Sequence, residues 1–190
     1  MFTIKENTKH ELIIKHSRFI TLLFKVNTID DINKFLEEAR INYPKANHYT
    51  YAFRLINSAG KSDDGEPVNT AGAPILNVLE KENLVNTLCI VIRYFGGIKL
   101  GAGGLIRAYT LSTTDALKQN KKIALVKGIK VKVVLDYQKQ KEFDYLMRDE
   151  IIVKKEFDQQ VTYELLLKDD SLLSGWDYQI LDYLYIELNE

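Results

Sequence analysis

Arg93-Tyr94-Phe95-Gly96-Gly97-Ile98-Lys99-Leu100-Gly101-Ala102-Gly103-Gly104-Leu105-Ile106-Arg107-Ala108-Tyr109-Thr110-Leu111 is the stretch whose reading decides the fold. Five of the ten glycines fall between Gly96 and Gly104, so the backbone there is unusually free. Upstream, Leu88-Cys89-Ile90-Val91-Ile92 is a continuous apolar run rich in β-branched residues, which predicts a buried strand. Downstream, Leu105, Ile106, Tyr109, Ala116 and Leu117 recur at helical spacing. The pattern is strand, glycine loop, helix. A helix start leaves N–H groups unpaired and carries partial positive charge, which suits an anion. Arg93, Lys99 and Arg107 add fixed positive charge, while Tyr94 and Phe95 are expected to pack inward. The candidate binding face is therefore Arg93, Gly96, Gly97, Lys99, Gly101, Gly103, Gly104 and Arg107.

Known phosphate loops do not fit this stretch. No Gly-Lys-Ser/Thr follows, so it is not a Walker A loop. Counting from Gly101, Gly-x-Gly-x-x-Gly fails because Ile106 stands at the third glycine position.

Composition bounds the class. The chain is 46% hydrophobic and 27% charged, as in an ordinary globular protein. No apolar run approaches the roughly 20 residues of a membrane span, and the N-terminus shows no signal-peptide core. The single cysteine, Cys89, cannot form an internal disulfide. A cytoplasmic protein without membrane association is expected. Net charge is zero overall but not locally. Residues 1–123 carry 17 Lys+Arg against 12 Asp+Glu, and residues 124–190 carry 9 against 14. This reversal from +5 to −5 suggests two domains, 1–123 and 124–190, divided near the polar turn Asn120-Lys121-Lys122.

Within the first domain, residues 12–26 read as one bent strand or two short ones, with a turn or bulge at Ser17-Arg18. Thr28 and Asp31 have the spacing of a capping box, and Ile32, Phe35, Leu36 and Ala39 then share a helix face. From His48 to Ile56 the chain alternates, which predicts a half-buried strand. His48 and Arg54 fall on its more polar side as candidate site-lining residues.

Asp63, Asp64 and Glu66 follow in a polar loop that runs through Thr70 to Pro74. Three carboxylates this close could hold a divalent cation, pair with Arg93, Lys99 or Arg107, or simply cap turns. All three alternatives stand, and Asp63, Asp64, Glu66 and Thr70 join the site-lining candidates. A helix with Ile75, Leu76, Val78 and Leu79 inward comes next.

In the second domain, Ile129–Leu135 alternates as a strand and residues 137–149 read as a helix. Strands at 151–153 and 161–167 are expected, joined by the Asp158-Gln159-Gln160 turn. Leu172, Leu173, Trp176, Ile180 and Leu184 suggest a second helix, with a short strand at 185–188 to close. The order βαββαβ predicts a ferredoxin-like sandwich, and the whole chain is of the α+β class.

No nucleophile–base pair and no zinc spacing is evident among the three histidines and Cys89. No catalytic residue, metal ligand or cofactor is therefore assigned.

Asp63-Asp64-Gly65-Glu66-Pro67, Thr70-Ala71-Gly72, Pro74-Ile75-Leu76 and the glycine stretch through Arg107-Ala108-Tyr109 resemble the IMPACT/YigZ family, as does Ser17-Arg18-Phe19 upstream. One departure is Val68-Asn69, where the family usually has Ser-Gly. The resemblance implies a first domain like the second domain of a small-subunit ribosomal protein, with a left-handed βαβ arrangement. It implies a second domain like the last domain of elongation factor G. Eukaryotic members regulate translation by binding an activator of a stress kinase, through an additional domain. The same broad fold also hosts sugar and mevalonate kinases. Two functions are thus in view. One is a non-enzymatic binding protein associated with translation, contacting RNA, the ribosome or a translation factor through the glycine-loop face. The other is a Mg-dependent enzyme acting on a phosphate-bearing small molecule, with Asp63, Asp64 or Glu66 holding the cation.

Overall fold

The structure is a computed structural model that describes residues 1–188. It contains two compact units, Met1–Ile123 and a second that begins at Ala124. Positions 189 and 190, the end of the expected second domain, lie outside the described residues. Both helices and antiparallel sheets are present in a mixed α/β chain.

The first unit begins with β1 (Phe2–Ile4), β2 (Thr8–Ile14), β3 (Ser17–Lys25) and α1 (Ile29–Asn42). It continues through β4 (His48–Arg54), β5 (Ala59–Ser62), α2 (Gly72–Lys81), β6 (Thr87–Tyr94) and α3 (Ala102–Lys118). One sheet has the order β2-β3-β6-β4-β5. β3 and β4 each pair antiparallel with β6, so α1 is a crossover between two parallel strands that flank a third. Alternation along β6 explains its central place. Leu88, Ile90 and Ile92 join the cluster that includes Ile32 and Ala39 of α1, while Cys89 and Val91 join Ile75 and Leu79 of α2 and Tyr109 of α3. Fully burying a side chain of this size stabilises by roughly 1.5–3 kcal/mol.

Two local expectations in this unit change. β4 is covered on both faces, with Tyr49 packed against the α1 side and Ala52 against the α2–α3 side. It is not half-buried, because helices lie over both faces of the sheet. Ser17-Arg18 is not a turn. The turn is Lys15-His16, whose φ values of 45° and 64° suit a two-residue hairpin loop between Ile14 and Ser17. Ser17 is fully buried in β3 because its hydroxyl has partners there. The Thr28–Asp31 capping box forms in both directions.

β7 (Lys122–Leu135) starts at the end of the first unit and runs into the second, which continues through a 3-10 turn at Tyr137–Lys139, α4 (Gln140–Leu146), β8 (Ile151–Phe157) and β9 (Val161–Leu167). A second 3-10 turn at Ser171–Leu173 and β10 (Tyr178–Glu187) complete it. β9 lies between β7 and β8, and β10 pairs antiparallel with β7. Phe143 and Met147 are fully buried against the sheet, with Trp176 beside them. The second helix does not form, so the expected βαββαβ order is not met. The chain leaves helical geometry at Ser174, with ψ 121°, and Gly175 at φ 86° completes a β-turn closed by the Trp176 N–H on the Leu173 carbonyl. From Tyr178 the β-favouring residues Tyr, Ile and Leu run out in strand, so the expected short strand at 185–188 begins seven residues earlier.

Candidate functional site

β6 ends at Tyr94 and releases the chain into the glycine loop, which re-enters helix at Ala102. Gly96 is there for contact: a Cβ on it would lie 2.0 Å from the His16 carbonyl carbon in the β2–β3 turn. Gly97 and Gly101 are there for conformation, with φ of 86° and 68°. Gly101 precedes α3 without any side-chain cap, and the first turn of α3 has no acidic residue. Ala102, Gly103 and Gly104 thus begin a helix with free N–H groups. Lys99 and Arg107 are exposed and form no ion pair with a described residue.

Arg93 points the other way. It is 5% exposed, and its Nη1 donates to Glu66 Oε1 at 2.7 Å. Its Nη2 donates to Ser17 Oγ at 3.3 Å, and the same hydroxyl accepts from Gly96 N–H at 3.2 Å. Tyr109 of α3 donates its hydroxyl to Glu66 Oε1 at 2.7 Å. Burial, then the Glu66 carboxylate beside it, pushes the Tyr109 phenol well above its ordinary range, so it stays a donor. One carboxylate oxygen therefore joins the acid loop, β6 and α3.

The other two acids of the loop serve different partners. Asp63 accepts backbone N–H bonds from Asn69, Ala71 and Gly72 at 2.8, 3.0 and 2.8 Å, capping α2. Burial alone would raise its pKa, but the three backbone donors outweigh burial and hold it below the usual value. Asp64 Oδ2 accepts from Tyr49 N–H at 2.6 Å, and Oδ1 from Arg40 at 3.1 Å. The three carboxylates do not converge, so the cation-holding arrangement expected of the enzyme alternative has no shared donor set. Ion pairing with the basic loop is confined to Glu66–Arg93. Among the described residues no group of three or more His, Cys, Asp and Glu is arranged to hold a metal ion.

The remaining candidates divide. His48 Nδ1 lies 2.8 Å from the Asp64 carbonyl, which can only accept, so Nδ1 carries the proton. Its Nε2 is 3.9 Å from Glu66 Oε1, which places His48 at this cluster. Arg54 is not there. It stands six residues along β4, about 20 Å away, and donates to the Leu84 carbonyl at 2.9 Å. Thr70 is buried and donates to the Pro67 carbonyl at 2.6 Å, a turn contact. Asn69 adopts φ 61°, a conformation asparagine tolerates better than most residues, so the turn survives without the family's usual glycine. Cys89 is inert: burial pushes its thiol up to about 12.

Between the two loops lies a pocket of about 350 Å³. Arg93, Glu66 and Leu105 are its buried members, Lys99 and Gly101 stand exposed at it, and Phe95 lines it. Phe95 is 45% exposed, contrary to the inward packing expected, because Gly96 turns the chain against the β2–β3 hairpin directly after it. Ser17, Tyr109 and Phe95 were missed as site residues. A tyrosine on an apolar helix face signals a buried hydroxyl needing a partner, and that signal was available at Tyr109.

The family model for the Impact N-terminal domain matches residues 15–117. IMPACT family member YvyE of Bacillus subtilis (strain 168) is 46% identical over 121 residues, 61% of this chain and 55% of the relative. IMPACT family member YigZ of Escherichia coli (strain K12) is 40% identical over 111 residues, 56% of this chain and 54% of the relative. The chain spans about half the length of the curated relatives it matches. A crystal structure described as that of a hypothetical protein aligns over 95% of each chain, with a TM-score of 0.67 and 28% identity.

Proposed function

The chain belongs to the IMPACT family, and on that premise we propose that it is a cytoplasmic binding protein associated with translation or its regulation, which contacts RNA through the basic glycine-loop face. The observation that carries this reading is an asymmetry of charge. The acids of the neighbouring loop are engaged with Arg93, Arg40, a phenol and backbone donors. Lys99, Arg107 and the uncapped start of α3 are left facing outward. Fixed positive charge with free backbone donors recognises phosphate without reading sequence. In this account Lys99, Arg107, Gly97, Gly101, Gly103 and Gly104 make the contacts, while Arg93 and Gly96 hold the loop's shape.

The same proposal takes the first unit to be arranged like the second domain of a small-subunit ribosomal protein. The α1 crossover with β6 between its two strands is consistent with that. No helix among the described residues is long and apolar enough to cross a membrane. The engagement of Asp63, Asp64 and Glu66 with protein partners favours the binding reading over the Mg-dependent enzyme. The test is binding of a labelled structured RNA by the wild type and by a Lys99→Glu/Arg107→Glu variant at several salt concentrations. Loss of binding in the variant is expected. RNA binding by neither, with capture of a translation factor, would move the proposal to a protein partner.

A further inference from the structure

We propose that the pocket between the acid loop and the glycine loop seats one unpaired nucleotide, its base against Phe95 and its phosphate at the start of α3. This rests on the RNA reading and adds a specific subsite to it. Three independent observations meet in the pocket. Its volume, about 350 Å³, lies near the small end of ligand sites, enough for a single nucleotide unit and not a duplex. Phe95 is a large aromatic residue left 45% exposed at its wall, with the Arg93 guanidinium 5.5 Å from the ring centroid and Leu100 lining the pocket beside it. The uncapped start of α3 reaches the same wall at Gly101 and Ala102, with Lys99 exposed beside them.

Phe95 and the start of α3 ask for different parts of the same ligand. A flat apolar ring accepts the face of a base, whichever base it is. The free N–H groups at the start of α3, where Ala102 lines the pocket with Lys99, donate to the phosphate. Inorganic phosphate would satisfy only the last. A base in a duplex could not present its face to Phe95, so the site selects single-stranded or looped RNA.

The test is calorimetric titration of the full-length chain with 5′-uridine and 5′-adenosine monophosphate, with inorganic phosphate alone, and with a short single-stranded RNA. The variants are Phe95→Ala, Phe95→Tyr and Lys99→Glu/Arg107→Glu. Saturable millimolar or tighter nucleotide binding is expected, stronger than that of phosphate. Phe95→Ala is expected to weaken it about 10-fold, within the range for losing one stacked base, and Phe95→Tyr to restore it. Nucleotide binding no stronger than phosphate, or indifferent to Phe95→Ala, would overturn the subsite. RNA binding abolished by Lys99→Glu/Arg107→Glu but unchanged in Phe95→Ala would overturn the subsite while leaving the RNA face standing. Loss of RNA binding in every form, the wild type included, would overturn both.

Discussion

Glu66 Oε1 sits 2.7 Å from Arg93 Nη1, and both side chains are almost wholly buried. This one pair ties a surface loop to the central strand of the sheet. A buried pair often adds little net stability over an apolar replacement, but removing one partner leaves a charge stranded. Glu66→Ala is therefore expected to lower the unfolding free energy by about 3–5 kcal/mol. Glu66→Leu combined with Arg93→Met is expected to recover most of it. Urea denaturation of the three proteins checks this, and equal stability of Glu66→Ala and wild type would remove the pair's structural role.

Asp63 gives a pH signature. Its folded pKa lies below the ordinary value of about 3.9, so its contribution is fully present above that pH and is lost as pH falls through the folded value. Asp63→Asn is expected to be less stable than wild type at pH 7, by about 1 kcal/mol as for lost helix caps. The gap should narrow below about pH 4. Denaturation midpoints of both proteins at pH 7 and pH 3 measure it.

The two adjacent glycines should respond differently to the same methyl group. At Gly96 it would lie 2.0 Å from backbone of the β2–β3 turn, which cannot move aside without breaking the hairpin. At Gly97 nothing lies within 4 Å, and the cost is only that of a left-handed φ, about 1–2 kcal/mol. Gly96→Ala should thus be the more destabilised by at least about 1 kcal/mol. Thermal melts of the two single variants decide it.

Much of this is legible in the sequence. The strand, glycine loop and helix followed from β-branched run, glycine density and helical spacing between Leu88 and Leu117, and each element forms. The capping box was legible because it is a local device with fixed spacing. Arg54 was misplaced because periodicity reports which face of a strand a residue takes, and not which end of the strand meets the loop. Phe95 was misjudged because hydrophobicity alone suggests burial, while its exposure depends on how Gly96 packs against a turn 80 residues upstream. The second helix after Leu172 failed because spacings of three and four over a short apolar run do not distinguish helix from strand once a glycine interrupts it.

The opposite net charges of residues 1–123 and 124–190 lead to a further proposal, that the first unit folds alone. Residues 1–123 expressed separately are expected to melt in one cooperative transition. Molten or insoluble material would count against that boundary.

The most direct measurement is the salt dependence of RNA affinity, by fluorescence anisotropy, for wild type and Lys99→Glu/Arg107→Glu. Three phosphate contacts, from Lys99, Arg107 and the start of α3, predict a log–log slope of roughly −2 on single-stranded RNA. The double variant should bind more weakly at every salt concentration, with a flatter slope. Equal affinity and equal slope for the two proteins would contradict the glycine-loop face as the RNA site.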